Sequence, residues 1–122
     1  MKTILIVDDF VAMRKTIGVI LEEHGYRTVH AGGADNALTL LFDPGISIDL
    51  VLADFFLPDK NGFELLHEIR HRSLKPDIPV VFMSSEQHPA LQFRKVGLNF
   101  SAWIKKPVNP EMLIFKVRRM LA

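Results

Sequence analysis

Residues 4–10 read ILIVDDF: four apolar residues run directly into two adjacent carboxylates, Asp8 and Asp9. Such a run reads as a buried strand with charged groups gathered at its carboxyl end. Apolar runs of strand length recur at 26–31 (YRTVHA), 49–53 (DLVLA), 79–83 (PVVFM) and 102–105 (AWIK). Between them lie segments with helical period. Met13, Ile17, Ile20 and Leu21 share one face, and Gly25 stands where a left-handed cap would end that helix. Ala34, Leu38 and Leu41 make a second stripe, and Phe63, Leu66 and Ile69 a third. Pro89 and Gly97 bound a short fourth helix. Asn109 and Pro110 open a fifth, with Leu113, Val117, Met120 and Leu121 on its buried side.

Strict alternation of strand and helix predicts right-handed crossovers and a parallel sheet covered on both faces, which is why the strands are apolar throughout. The fold class is therefore α/β, a flavodoxin-like, doubly wound (βα)5 domain of five parallel strands in the order 2-1-3-4-5, occupying residues 1–122. A chain of 122 residues, 48% of them hydrophobic, suits one such core. The lack of cysteine excludes disulfides and thiolate metal sites. No apolar run approaches the roughly 18 residues of a membrane span, so a soluble, cytoplasmic protein without membrane attachment is expected. A net charge of +1 gives no drive toward nucleic acid, and the KVRRM cluster is spaced like a solvated helix face.

In such sheets ligands bind beyond the carboxyl ends of the strands, where the strand order reverses. The first strand ends in Asp8 and Asp9, the third in Asp54, the fourth in Ser84 and Ser85, and the fifth in Lys105 and Lys106, whereas the second ends in nothing reactive. The order 2-1-3-4-5 makes the first and third strands neighbours, so Asp8, Asp9 and Asp54 share a pocket flanked by Ser84 and Lys106. Two carboxylates about 4 Å apart repel by roughly 4 kcal/mol at an effective dielectric near 20, so a cation or protons must join them. Oxygen ligands select a hard ion, and a few carboxylates that leave waters in place suit Mg²⁺ better than Ca²⁺. With Lys106 as a point charge and Ser84 as a hydroxyl donor, the set suits an incoming phosphoryl group. Asp54 stands alone at the central strand and reads as the nucleophile. The pair Asp8 and Asp9 reads as the metal holder.

These residues resemble the response regulator receiver domain, the CheY-like phosphoacceptor of two-component signalling. VDDF matches the acidic pair of that family, ADFFLPDKNG its phosphoacceptor strand and turn, PVVFMSSE its hydroxyl strand, and WIKKP its lysine-proline pair. The resemblance implies phosphorylation at Asp54, with Asp9 a direct Mg²⁺ ligand, Asp8 a ligand through water, and the Phe56 backbone carbonyl completing the protein's share of the shell. It implies that Ser84 and Lys106 bind phosphoryl oxygens, that Trp103 is the aromatic switch residue turning inward after Ser84, and that the Lys106–Pro107 bond is cis. The partners implied are a sensor histidine kinase or histidine phosphotransfer protein, and an output protein or covalently linked output domain. The signal would pass through the surface of the fourth helix, fifth strand and fifth helix. On this reading the chain is not an enzyme beyond its own Mg²⁺-dependent phosphorylation and dephosphorylation. A degenerate receiver acting only as a protein-binding module is the alternative.

Some positions depart from the family pattern. Leu57 and Asn61 replace a common Met and Asp, Ser85 a common Ala or Gly, and Trp103 a common Tyr or Phe. Phe56 and Glu86 occupy positions that, in the family, govern access of the attacking water. The stretch HEIRH, residues 67–71, also matches the zinc protease pattern H-E-x-x-H. The inward stripe of the third helix sends His67 and His71 to the solvated side with Glu64 and Glu68. No third ligand or cleft accompanies them, which argues against protease activity and leaves only binding of a transition metal.

Overall fold

The computed structural model describes residues 1–85 and 99–122. Strands β1 (Thr3–Val7), β2 (Arg27–Ala31), β3 (Leu50–Asp54), β4 (Val80–Ser84) and β5 (Ala102–Lys105) alternate with helices α1 (Val11–Glu23), α2 (Ala34–Phe42) and α3 (Gly62–Arg72), and a C-terminal helix covers Pro110–Leu121. The fourth helix expected between Pro89 and Gly97 lies outside the described residues, as does Glu86. The five strands are parallel and ordered β2-β1-β3-β4-β5, the predicted flavodoxin-like sheet.

Alternate residues of each strand feed two separate cores. Leu5, Val7, Val51, Ala53, Val80, Phe82 and Trp103 face α2 and α3. Ile4, Ile6, Leu50, Leu52, Val81, Met83 and Ile104 face α1 and the C-terminal helix. Each fully buried Leu, Ile or Val contributes roughly 1.5–3 kcal/mol relative to exposure, so double-sided burial explains the apolar strands. The helix stripes are wider than the sequence suggests: Leu65 and Ile114 join the buried residues, whereas Met13, Ile20, Phe63, Met120 and Leu121 are half-buried at the margins.

Three ends of elements differ from the pattern reading for two reasons. The β3 and β4 ladders run one residue past the apolar stretch, pairing Asp54 with Met83 and ending at Ser84, because backbone pairing does not stop where side chains turn polar. Tyr26 is excluded from β2 because it closes α1. The N–H of Gly25 reaches the Glu22 carbonyl at 3.1 Å and the Tyr26 N–H the Leu21 carbonyl at 3.2 Å, a Schellman cap that needs the positive φ of 89° at Gly25.

Candidate functional site

The carboxyl ends of β1 and β3 bring the acids together because these strands are paired neighbours, with Val7 opposite Ala53. One carboxylate oxygen from each of Asp8, Asp9 and Asp54 lies within 4.8 Å of the others. Asp8 and Asp54 are buried and Asp9 is exposed, so the cluster opens to solvent on the Asp9 side. Lys106 enters from the end of β5, with Nζ 2.8 Å from Asp54 Oδ2 and 3.5 Å from Asp8 Oδ2. Its backbone N–H donates to the Ser84 carbonyl at 2.9 Å, which ties the lysine to β4, and the Lys106–Pro107 peptide is cis, as expected. Ser84 is itself buried at the end of β4, one residue beyond the partner of Asp54.

The first acidic loop is held by its own backbone. The Phe10 N–H donates to Asp8 Oδ1 at 2.9 Å, the Asp8 N–H donates to the Ala31 carbonyl at 3.1 Å, and the Arg14 guanidinium donates to the Asp8 carbonyl. That leaves Asp8 Oδ2 buried without a hydrogen bond. Burial pushes the Asp8 carboxyl above the ordinary carboxylate range; the Phe10 N–H and Lys106 oppose this, while Asp54 and Asp9 reinforce it. Burial works against the charged Lys106, but its hydrogen bond to Asp54 and the charges of Asp54 and Asp8 win, so its pKa lies above the ordinary lysine value. A buried, unbonded carboxylate oxygen within reach of two further acids is the donor set of a hard divalent cation, so these residues fit Mg²⁺.

Asp54 is oriented by the Phe56 N–H, which donates to Oδ1 at 3.2 Å. Phe56 is 51% exposed, whereas Phe55 is buried in the core. There it meets Phe63 at 5.3 Å, Phe82 at 5.5 Å and Trp103 at 5.3 Å between ring centroids. Trp103 is 8% exposed, also packed against Phe100 at 5.8 Å. The Trp103 ring thus lies inside and is joined to the acceptor strand through Phe55.

The structural roles of three residues escaped the sequence reading. Gly62 lets Phe55 lie against the start of α3: a Cβ there would stand 2.1 Å from Phe55 Cδ2. Asn61 caps α3 by accepting the Glu64 N–H at 3.0 Å, while Glu64 Oε1 accepts the Asn61 N–H at 3.2 Å, so Asn replaces Asp there without loss of a cap. Asp59 accepts the N–H groups of Ala34 and Asp35 at 2.9 and 2.8 Å, and Lys60 pairs with Asp35 at 2.8 Å, fastening the acceptor loop to α2. The turn-forming run PDKNG was the available signal for the caps. A groove of about 650 Å³ lies between His24 and the C-terminal helix, and its lining gathers no acidic constellation like that at the strand ends. Among the described residues no helix is long and apolar enough to cross a membrane.

Comparison with known proteins agrees with this geometry. The phosphate regulon transcriptional regulatory protein PhoB of Pseudomonas aeruginosa is 31% identical over 120 residues, which span 98% of this chain and 52% of PhoB. The transcriptional regulatory protein CpxR of Escherichia coli is 33% identical over 123 residues, 99% of this chain and 50% of CpxR. The chain thus spans about half the length of the curated relatives it matches. A CheY-like response regulator receiver domain protein from Methanospirillum hungatei superposes with a TM-score of 0.87 at 31% identity, covering 99% of this chain and 94% of that one. Chemotaxis protein CheY4 of Vibrio cholerae gives 0.85 at 27% identity, covering 98% of both. Residues 4–118 match the response regulator receiver domain, and this chain belongs to that family, a signalling module of two-component systems.

Proposed function

We propose that this receiver accepts a phosphoryl group on Asp54 from a phosphohistidine of a sensor kinase or phosphotransfer protein in the cytoplasm, in a Mg²⁺-dependent reaction. The observation that carries the reading is the position of Lys106, 2.8 Å from Asp54 and 3.5 Å from Asp8 beside three converging carboxylates. Asp8, Asp9, Asp54 and the Phe56 carbonyl are the groups that would hold the ion. When bound it neutralises phosphoryl oxygens and draws charge from the acids.

The remaining work falls to the chain. An Asp54 carboxylate oxygen attacks phosphorus, the phosphorus–nitrogen bond of the donor breaks, and an acyl phosphate forms. The Phe56 N–H fixes the carboxylate plane through Oδ1. Lys106 exchanges its contact with Asp54 for a new phosphoryl oxygen, and the Ser84 hydroxyl binds another. Because Phe55 adjoins Asp54 and packs on Trp103, strain in the acceptor loop reaches β5 by side-chain contact, biasing two packings of that surface without a long swing of the indole. The output is a separate protein or a covalently linked domain. Phosphoryl transfer of this kind is self-modification, not turnover of a released substrate.

Intact mass after incubation with acetyl phosphate and Mg²⁺ tests the reading. A single labile phosphoryl adduct, absent from Asp54→Asn, is expected. No adduct in protein shown to bind Mg²⁺ would leave a protein-binding module in its place.

A further inference from the structure

The HEIRH motif is not used by the phosphoryl site, and its placement on α3 gives it a chemistry of its own. Leu65, Leu66 and Ile69 are completely buried and fix the rotation of α3, so His67 and His71, one turn apart, both project into solvent. Their imidazole rings lie 4.4 Å apart between centroids, inclined by 40°. Among the described residues the two rings pack on each other, and neither takes part in a hydrogen bond. Two imidazoles at i and i+4 lie close enough for one nitrogen of each to reach a common ion above the helix, the spacing that chelates a borderline divalent cation.

The neighbouring acids explain why the pair would bind metal without hydrolysing anything. Glu64 is engaged at the start of the helix by the Asn61 N–H, at 3.2 Å. Glu68 Oε2 stands 3.6 Å from the Arg72 guanidinium. Neither is grouped with the two imidazoles as a third ligand among the described residues. The only grouping of three or more potential ligands among the described residues is the Asp8, Asp9 and Asp54 cluster. The histidine pair is consequently a two-ligand site with its other positions left to water. Its charge environment still favours a cation, because Glu64 and Glu68 lie on the same helix face.

We propose that His67 and His71 form a transition-metal site on α3, selective for Cu²⁺, Ni²⁺ or Zn²⁺ over Mg²⁺. The two metal sites of the molecule then divide by ligand hardness: oxygen donors at the strand ends for the hard ion, nitrogen donors on α3 for the borderline ones. Occupancy ties together two successive turns of the helix that leads directly out of the acceptor loop, and so stabilises the folded chain by mass action.

The test uses the untagged 122-residue chain in excess Mg²⁺, added to fill the acidic cluster, titrated with Ni²⁺ or Cu²⁺ by calorimetry. One ion per chain is expected, with at least a tenfold loss of affinity in either His67→Ala or His71→Ala and no change in His24→Ala. In wild type, Cu²⁺ should show magnetic hyperfine coupling to two nitrogens, reduced to one in each single variant. Both positions are exposed, and unchanged circular dichroism would show that the variants fold. Wild type binding no tighter than the double variant, or nitrogen coupling that survives in it, would overturn the assignment.

Discussion

Asp59, in the loop that follows the acceptor strand, accepts the backbone N–H of Ala34 at 2.9 Å and so caps a helix that begins 25 positions earlier in the chain. Its second oxygen takes the Asp35 N–H at 2.8 Å, so one carboxylate satisfies two of the free donors at the start of α2. Burial pulls the Asp59 pKa upward, but the Asp35 and Ala34 N–H groups outweigh it and hold the carboxyl below its ordinary value. The stabilisation is then present above the unfolded carboxylate pKa and is lost as pH falls through the lower folded value. Asp59→Ala should cost about 1 kcal/mol at pH 7, in the usual range for a lost cap. Urea denaturation at pH 7 and again below pH 4 checks this; the gap between wild type and variant should narrow in acid. Equal stability at pH 7 would show that the loop and α2 are not coupled.

Asp8 carries the opposite sign. Its folded pKa is raised by burial, so the neutral form is favoured on folding: that contribution is complete below the unfolded pKa and disappears as pH rises through the folded one. At neutral pH, without a divalent cation, the ionised side chain is a cost. Asp8→Asn should therefore raise the thermal midpoint of metal-free protein at pH 7, by on the order of 3 °C. It should lose that advantage below pH 4, where Asp8 is protonated anyway. The same variant should show little of the stabilisation that Mg²⁺ gives wild type. A lower midpoint in chelator-treated buffer would mean that Asp8 stabilises the apo fold.

These two carboxylates mark the boundary of what a sequence displays. Asp8 was legible because it interrupts an apolar run, and the strand order that brings it to Asp54 follows from alternating elements and one handedness rule. Lys106 and Ser84 were legible in the same way, as polar residues at the ends of buried strands. Asp59 was not, because its partners are backbone N–H groups, which every residue but proline possesses and no side chain announces. The rings that enclose Trp103 were equally hidden, because Phe55, Phe82 and Phe100 are 18 or more positions apart from one another. Local pattern encodes which face is buried; it does not encode which aromatic ring fills a given gap.

Gly62 offers a direct test of that packing. A methyl group at this position would stand 2.1 Å from Cδ2 and 2.4 Å from Cε2 of Phe55, whose ring is 6% exposed and bounded by Phe63, Phe82 and Trp103. Overpacking of this kind costs about 1–3 kcal/mol where the ring cannot move aside. Gly62→Ala should lie toward the upper end and shift the emission of Trp103, the single tryptophan. Combining it with Phe55→Leu should recover at least about 1 kcal/mol relative to the sum of the single effects, read from a double-mutant cycle in urea. Strict additivity would show that α3 relaxes away from Phe55, contrary to a tightly built junction.

Lys106 and a divalent cation are competitors for the same oxygens. With Nζ 2.8 Å from Asp54 and 3.5 Å from Asp8, the ammonium neutralises part of the acidic cluster and repels a second positive charge placed beside it. Removing it should strengthen ion binding even as it weakens the chemistry. Lys106→Met is therefore expected to bind Mg²⁺ roughly 3- to 10-fold more tightly, an effect sized by the loss of one positive charge at contact range in a partly solvated site. The same variant should accumulate less acyl phosphate at a given acetyl phosphate concentration, because the ammonium beside Asp54 that would pair with the transferred group is gone. Mg²⁺ titration followed by Trp103 fluorescence, paired with intact mass, separates the two effects. A variant that loses both ion affinity and adduct would show that Lys106 supports the shape of the site instead of balancing its charge.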